Sequence, residues 1–149
     1  MPGSRVLVVD DEDDILDLLE IWLGDDDRCA DYARCNDLDA VVAQAQGFAP
    51  DVIVLDVWFG ARTSVGILPL LRTACPQSTI VIHTASERAA RSLGVLTLGA
   101  DDIIEKAEIP IDQVVDRVLR HAEGRRPTVI DLTAAESVVD SPSRPAQLT

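Results

Sequence analysis

Basic residues are scarce in this chain of 149 residues. Thirteen Lys and Arg stand against 26 Asp and Glu, a formal charge of −13. A sequence-independent grip on nucleic acid needs clustered cations that displace counterions, and this balance argues against it. Cysteine is scarce too: Cys29, Cys35 and Cys75 are odd in number and have no CxxC spacing. They read as small buried apolar side chains in a reducing cytosol, with no metal or redox role expected. Long apolar runs are missing. The amino-terminal run is only Val6 to Val9 and meets charge at once, so no signal peptide is expected, and no segment reaches the length of a membrane span. There is no glycine-rich loop to cradle a nucleotide or redox cofactor. A soluble, cytoplasmic protein is the expectation.

What is there is a chain 47% hydrophobic, long enough for one domain with a proper core. Arg5 to Val9 reads as an apolar strand ending in Asp10-Asp11. Ile15, Leu18, Leu19, Trp22 and Leu23 recur at helical spacing over Asp13 to Leu23, and Gly24 with the acidic run Asp25 to Asp27 closes that helix. Cys29 to Cys35 reads as a strand nearer a sheet edge. Asn36 or Asp37 caps a helix to about Gln46, stopped by Gly47. Asp51 to Asp56 is a run of β-branched and aliphatic residues without alternation, as suits a strand covered on both faces. Trp58 to Val65 reads as a loop. A helix follows from near Gly66 to Cys75, since Pro69 is tolerated only in a first turn. Thr79 to His83 is the fourth strand, Ser86 to Leu98 a helix weakened by Gly94, and Ile103-Ile104 a short fifth strand. A last helix begins at Pro110 or Ile111, buries Val114, Val115, Val118 and Leu119, and ends near Glu123.

Five strands alternating with five helices predict an α/β fold: a doubly wound, five-stranded parallel sheet in the order 2-1-3-4-5, helices on both faces. The domain is expected over residues 1–123, followed by a disordered Pro/Ser/Thr-rich tail, 124–149. Within that tail Val129 to Leu132, followed by the capping box Thr133 to Glu136, reads as linker first and as a short docking motif second.

That topology gathers Asp10, Asp11, Asp56, Thr84 and Lys106 at one sheet edge. Three acids held so close resist joint ionisation unless a cation joins them. With no His or Cys at the site, zinc is not expected, and Mg²⁺ fits best. An aspartate with Mg²⁺, a lysine and a hydroxyl around it is a set of parts for phosphoryl transfer to a carboxylate, with Asp56 the nucleophile. Lys106 would neutralise phosphoryl oxygens and Thr84 would hydrogen-bond one. Taken singly, each residue has a plainer account as strand end, helix cap, turn or surface charge.

The chain resembles the receiver domain of bacterial two-component response regulators. Val8-Val9-Asp10-Asp11-Glu12 matches the family's acidic pair, Val54-Leu55-Asp56 its phosphoacceptor strand, and Thr84-Ala85 its hydroxyl and small neighbour. Gly99-Ala100-Asp101-Asp102 followed by Lys106 matches the approach to its lysine. The resemblance covers about residues 4–123 and implies the flavodoxin-like strand order. It also implies Mg²⁺ on Asp10, Asp11, Asp56 and the backbone carbonyl of Trp58, with a histidine kinase or phosphotransfer protein as phosphoryl donor.

Four departures from the family stand out. Ala107 follows Lys106 where a proline is usual, leaving that loop less constrained. Ile103 replaces the aromatic switch residue. Gly60 replaces the proline at the fourth position after Asp56, in a loop about two residues longer than usual. Trp58 and Ser86 flank the expected path of the attacking water, and the indole either shelters the acyl phosphate or packs aside. His83 and His121 read as structural.

The expected function is a stand-alone phosphorylation-controlled switch that catalyses its own phosphorylation and dephosphorylation without an external substrate. No DNA-binding domain is expected, and the signal is expected to pass to an unidentified downstream protein. Val95, Leu96 and Ile104 are expected to be partly exposed on an output surface of fourth helix, fifth strand and fifth helix, where a homodimer can form. Two rivals are a docking module indifferent to phosphorylation and a small Mg²⁺-dependent phosphohydrolase using Asp11-Glu12-Asp13.

Overall fold

The computed structural model describes residues 3–125. The apolar run Val129 to Leu132 and the capping box Thr133 to Glu136 lie outside them. In chain order the elements are β1 (Ser4–Val9), α1 (Asp13–Gly24), β2 (Cys29–Cys35), α2 (Val41–Phe48), β3 (Val52–Leu55), β4 (Trp58–Phe59) and β5 (Arg62–Thr63). Then come α3 (Leu68–Ala74), β6 (Thr79–Thr84), α4 (Glu87–Ser92), α5 (Val95–Leu98), β7 (Asp102–Glu105) and α6 (Ile111–Arg125). The main sheet is parallel, in the order β2-β1-β3-β6-β7. These are the five strands read from the sequence, in the expected order 2-1-3-4-5.

The pleat sends alternate residues of each strand to opposite faces, and both faces are apolar because both are covered. Leu7, Val9, Ile53, Leu55, Ile80 and Ile82 form one core with Val41, Ala45, Leu68, Leu71, Ala90 and Val95. Val6, Val8, Val52, Val54, Val81 and Ile104 form the other with Leu16, Leu19 and Leu23 of α1 and Val114, Val115, Val118 and Leu119 of α6. β2, with less apolar content, is an edge strand, as read. Cys35 and Cys75 are buried and Cys29 half-buried, all three free.

Several local readings are corrected. In α1 the buried stripe is Leu16, Leu19 and Leu23, while Leu18 and Trp22 are exposed. Adjacent apolar pairs (Ile15-Leu16, Leu18-Leu19, Trp22-Leu23) make two helical phases nearly equivalent on paper, and packing chooses one. α2 runs past Gly47 to Phe48, and Ala49 takes the left-handed cap with φ 54, its N–H donating to the Ala45 carbonyl. Pro50 follows and cannot continue a helix. The turn Leu38–Ala40 before α2 is capped by the Asp37 carboxylate, which accepts the Asp39 N–H at 3.0 Å. Before α3, residues Val65–Ile67 form a 3₁₀ turn, and Pro69 sits in the first turn of α3 as required.

The single helix expected over Ser86 to Leu98 is two, α4 and α5, divided at Gly94 with φ 78. The stretch Trp58 to Val65 contains the β4–β5 hairpin rather than a plain loop. Val95 and Ile104 are buried, so the apolar exposure on the α4–α5 side belongs to Leu93 and Leu96. The last helix continues to Arg125, two residues beyond its expected end. Among the described residues no helix is long and apolar enough to cross a membrane.

The phase of α1 is testable by truncation. Leu19→Ala should cost about 3 kcal/mol of unfolding free energy, since a fully buried leucine leaves a cavity. Leu18→Ala should cost less than about 1 kcal/mol. Urea melts of the two variants give the comparison, and equal losses would reverse the assignment.

Candidate metal and phosphoacceptor site

The strand register builds the site. Val9 pairs with Leu55 across β1 and β3, so the next residues, Asp10 and Asp56, leave the sheet side by side. The ladder continues one step past both strands: the Asp10 N–H donates to the Cys35 carbonyl at 3.1 Å and the Asp56 N–H to the Val9 carbonyl at 2.9 Å. On the other side the Lys106 N–H donates to the Thr84 carbonyl at 2.7 Å, which fixes where the lysine departs. Asp10, Asp56, Thr84 and Lys106 are thus all brought to one edge, as read from the sequence, and Asp11 joins them at the open side.

Asp10 and Asp56 are 2% and 5% exposed, and Thr84 is fully buried. One carboxylate oxygen from each of Asp10, Asp11 and Asp56 lies within 4.8 Å of the others. The Lys106 ammonium reaches Asp10 and Asp56 at 2.9 Å and Glu12 at 3.0 Å. Burial opposes its charge, but those three bonds outweigh the burial and hold its pKa above the ordinary lysine value. Asp10 goes the other way. Burial raises its pKa to about 6, opposed by the Glu12 amide (2.9 Å) and Lys106, and assisted by the negative charge of Asp56.

Further contacts hold the acids in place. The Ser64 hydroxyl donates to the Asp56 carbonyl at 2.7 Å, and the Trp58 N–H approaches the Asp56 carboxylate at 3.4 Å. The Gly60 N–H donates to the Asp11 carboxylate at 3.0 Å. The Thr84 hydroxyl has no partner among the described residues. His83 is buried in β6, and burial, then the charge of Lys106, lowers its pKa to about 4, so it stays neutral near pH 7. His121 bonds the Asp102 carboxylate at 2.8 Å on α6, away from the acids' edge. The plain structural reading of both histidines fits this placement. Asp13 is exposed in the first turn of α1 and is not in the acid cluster.

The reach of Glu12 to Lys106, the Gly60 amide and the Ser64 hydroxyl were not read from the sequence. Glu12 adjoins the acidic pair, which is the only hint it offers. The other two depend on a hairpin whose strands are two residues each, too short to leave a pattern.

Two stability measurements probe this geometry without any ligand. Asp10 favours its protonated form when folded, so its stabilising contribution is present below about pH 4 and is lost as pH rises through about 6. With a chelator present, Asp10→Asn should gain on the native chain by roughly 1–3 kcal/mol between pH 4 and 7. Parallel pH profiles in urea melts would contradict the raised pKa. Thr84→Val replaces an unpartnered buried hydroxyl with a methyl group, and thermal melts should show it more stable by about 1 kcal/mol.

The model of the response regulator receiver domain family matches residues 6–119. The alkaline phosphatase synthesis transcriptional regulatory protein PhoP of Bacillus subtilis is 30% identical over 129 residues, covering 85% of this chain and 52% of PhoP. The probable transcriptional regulatory protein TcrX of Mycobacterium tuberculosis is 28% identical over 142 residues, 93% of this chain and 59% of TcrX. The chain therefore spans little more than half the length of these two relatives. The response regulator domain of Thermotoga maritima CheB superposes with a TM-score of 0.69 at 25% identity, over 83% of this chain and 96% of that one. A CheY-like receiver domain protein from Methanospirillum hungatei gives 0.73 at 17% identity, over 83% and 96%, a likeness of fold alone. The match begins in β1 and ends in α6, taking in every strand of the sheet and each residue of the acid edge. The chain belongs to the response regulator receiver domain family of two-component systems.

Proposed function

We propose that this protein is a cytoplasmic, phosphorylation-controlled signalling switch. Asp56 accepts a phosphoryl group from a histidine kinase or phosphotransfer protein with Mg²⁺, and a downstream protein reads the result by contact. The observation that carries this reading is the hold of Lys106 on both Asp10 and Asp56 at 2.9 Å, with Asp11 at the open side.

The donor set is all carboxylate, which fits a hard ion that takes oxygen ligands. Asp10, Asp11 and Asp56 would hold Mg²⁺, with the Trp58 carbonyl as the further ligand implied by the family. When bound, the ion supplies charge neutralisation for phosphoryl oxygens. The rest is the work of side chains. An Asp56 carboxylate oxygen attacks phosphorus, an O–P bond forms, and the bond to the donor's leaving nitrogen or oxygen breaks with its electron pair. Lys106, already at Asp56, supplies a positive charge beside the transferred group, and Thr84 brings a hydroxyl with its hydrogen-bonding capacity unspent.

Trp58 stands about two-fifths exposed at the start of the hairpin, where its indole either shelters the acyl phosphate from water or packs aside and leaves the path open. The Ser86 hydroxyl accepts the Ala89 N–H as the cap of α4, which leaves its O–H free to donate. The chain catalyses its own phosphorylation and dephosphorylation and turns over no external substrate. Its output face comprises α4, α5, β7 and α6, with Leu93 and Leu96 exposed beside a charged groove of about 530 Å³ lined by Glu87, Arg88, Arg91, Ser92, Glu105 and Glu108. A homodimer would use the same face.

A second reading, a docking module indifferent to phosphorylation, draws support from Ile103, which is buried in the core where the family carries an aromatic switch. The phosphohydrolase reading has Asp13 against it, since that residue lies outside the acid cluster.

Incubation with Mg²⁺ and a small phosphodonor should add one phosphoryl group to the native protein, seen by intact mass, and none to Asp56→Asn. Equal labelling of the variant would remove the assignment. In the same assay Trp58→Asn should lose the group faster than the native chain, and equal rates would end the shelter reading. Partner affinity that does not change on phosphorylation would favour the docking module.

A further inference from the structure

The bond from the Gly60 N–H to Asp11 is one that the family's usual residue could not make. Proline has no N–H, and its ring excludes the φ of 60 that Gly60 adopts. Gly60 opens the two-residue turn between β4 and β5, where a tight hairpin takes positive φ and therefore glycine. The hairpin is anchored on three sides. At its base the Ser64 N–H donates to the Val57 carbonyl at 2.8 Å and the Ser64 hydroxyl to the Asp56 carbonyl at 2.7 Å. Phe59 is buried in the core, and the Arg62 guanidinium pairs with Asp39 at 3.0 Å. The amide offered to Asp11 is therefore carried by a hairpin tied to the sheet at Ser64 and to the core at Phe59, the exposed Arg62–Asp39 pair adding little.

Asp11 needs such a hold. Of the three clustered acids it alone is exposed, and it does not share in the Lys106 ammonium that holds Asp10 and Asp56. A carboxylate has about four lone-pair positions, so accepting one amide leaves room for a cation. Resting on the Mg²⁺ reading above, we propose that the β4–β5 hairpin is a positioning element for the cation. Gly60 fixes Asp11 toward Asp10 and Asp56, and by reciprocity the bound cation orders the hairpin. Metal occupancy is thereby transmitted to the segment that carries Trp58, and Gly60 acts as a positioning residue through Asp11.

The test uses the full chain. In ¹H–¹⁵N spectra the Gly60 amide should be protected from solvent exchange, should lose that protection in Asp11→Ala, and should exchange more slowly as Mg²⁺ is added. Calorimetric titration with Mg²⁺ should give about tenfold weaker binding for Gly60→Pro, as is usual when a partner of a metal ligand is removed. Absence of Mg²⁺ binding by the native chain would overturn the metal reading and this one with it. Normal Mg²⁺ binding, with a Gly60 amide that is unprotected or blind to Asp11→Ala, would overturn the hairpin's role and leave the metal reading standing. The amide measurement is made on the native chain, so it decides even where Gly60→Pro fails to fold.

Discussion

Everything at the acid edge follows from two buried carboxylates that the sheet register forces together. Val9 and Leu55 are ladder partners, so Asp10 and Asp56 have no freedom to separate without breaking β1 from β3. An unpaired buried carboxylate costs several kcal/mol, and two of the same sign cost more. Lys106 offsets part of that by bonding both, beside the Glu12 amide that donates to Asp10. It cannot offset all of it, and the remainder appears as the pKa of Asp10, raised to about 6. One ammonium shared among Asp10, Glu12 and Asp56, with Asp11 beside them, leaves a surplus of negative charge. A crevice so constituted attracts cations, and any anion entering it has to bring or meet positive charge.

The loops over that crevice follow paths of their own. Where relatives of this family usually carry proline, this chain has Gly60 with φ 60 and Ala107 with φ 66, and proline can adopt neither. Glycine bears such a φ without steric cost, and at Gly60 the exposed amide is put to use on Asp11. Alanine does bear a cost, about 1 kcal/mol for the left-handed conformation. Ala107 directly follows the residue whose side chain must turn back to three carboxylates, and the Glu108 N–H closes the turn onto the Glu105 carbonyl at 3.2 Å. The strain is local to the segment that delivers Lys106.

How much of this was legible before any coordinates depended on the range of the pattern. The three central strands carried the clearest signal, because a strand buried on both faces is largely apolar, and alternating strands and helices leave few topologies. Asp10, Asp56 and Lys106 were legible because each directly follows or ends a strand, so finding the strand finds the residue. The phase of α1 was not, since paired apolar residues fit two faces equally. The end of α2 was misread because Gly47 looks like a stop, yet Pro50 decides the matter from outside the helix. The hairpin was invisible at two residues per strand, and with it went the Gly60 and Ser64 contacts. Charge and hydrophobicity mark what a segment is, but a single amide aimed at a carboxylate leaves no trace in composition.

The same contacts bear on how a signal would leave the site in the proposed reading. Ile103 is packed in the core and has no aromatic ring to swing, so a rotamer switch has nothing to act on. The backbone offers a different route. Thr84 pairs with Glu105 across β6 and β7, and its carbonyl accepts the Lys106 N–H. The Glu105 carboxylate in turn accepts the Glu87 N–H at 2.9 Å, where α4 begins. A phosphoryl group that drew the Thr84 hydroxyl toward Asp56 would pull on the strand pairing that positions Glu105, and so on the first turn of α4. That turn is short, capped by Ser86 and cut off from α5 by Gly94, so it can shift without dragging a long helix with it. In that reading, the division of one expected helix into two would leave a short piece beside the site to take up the movement.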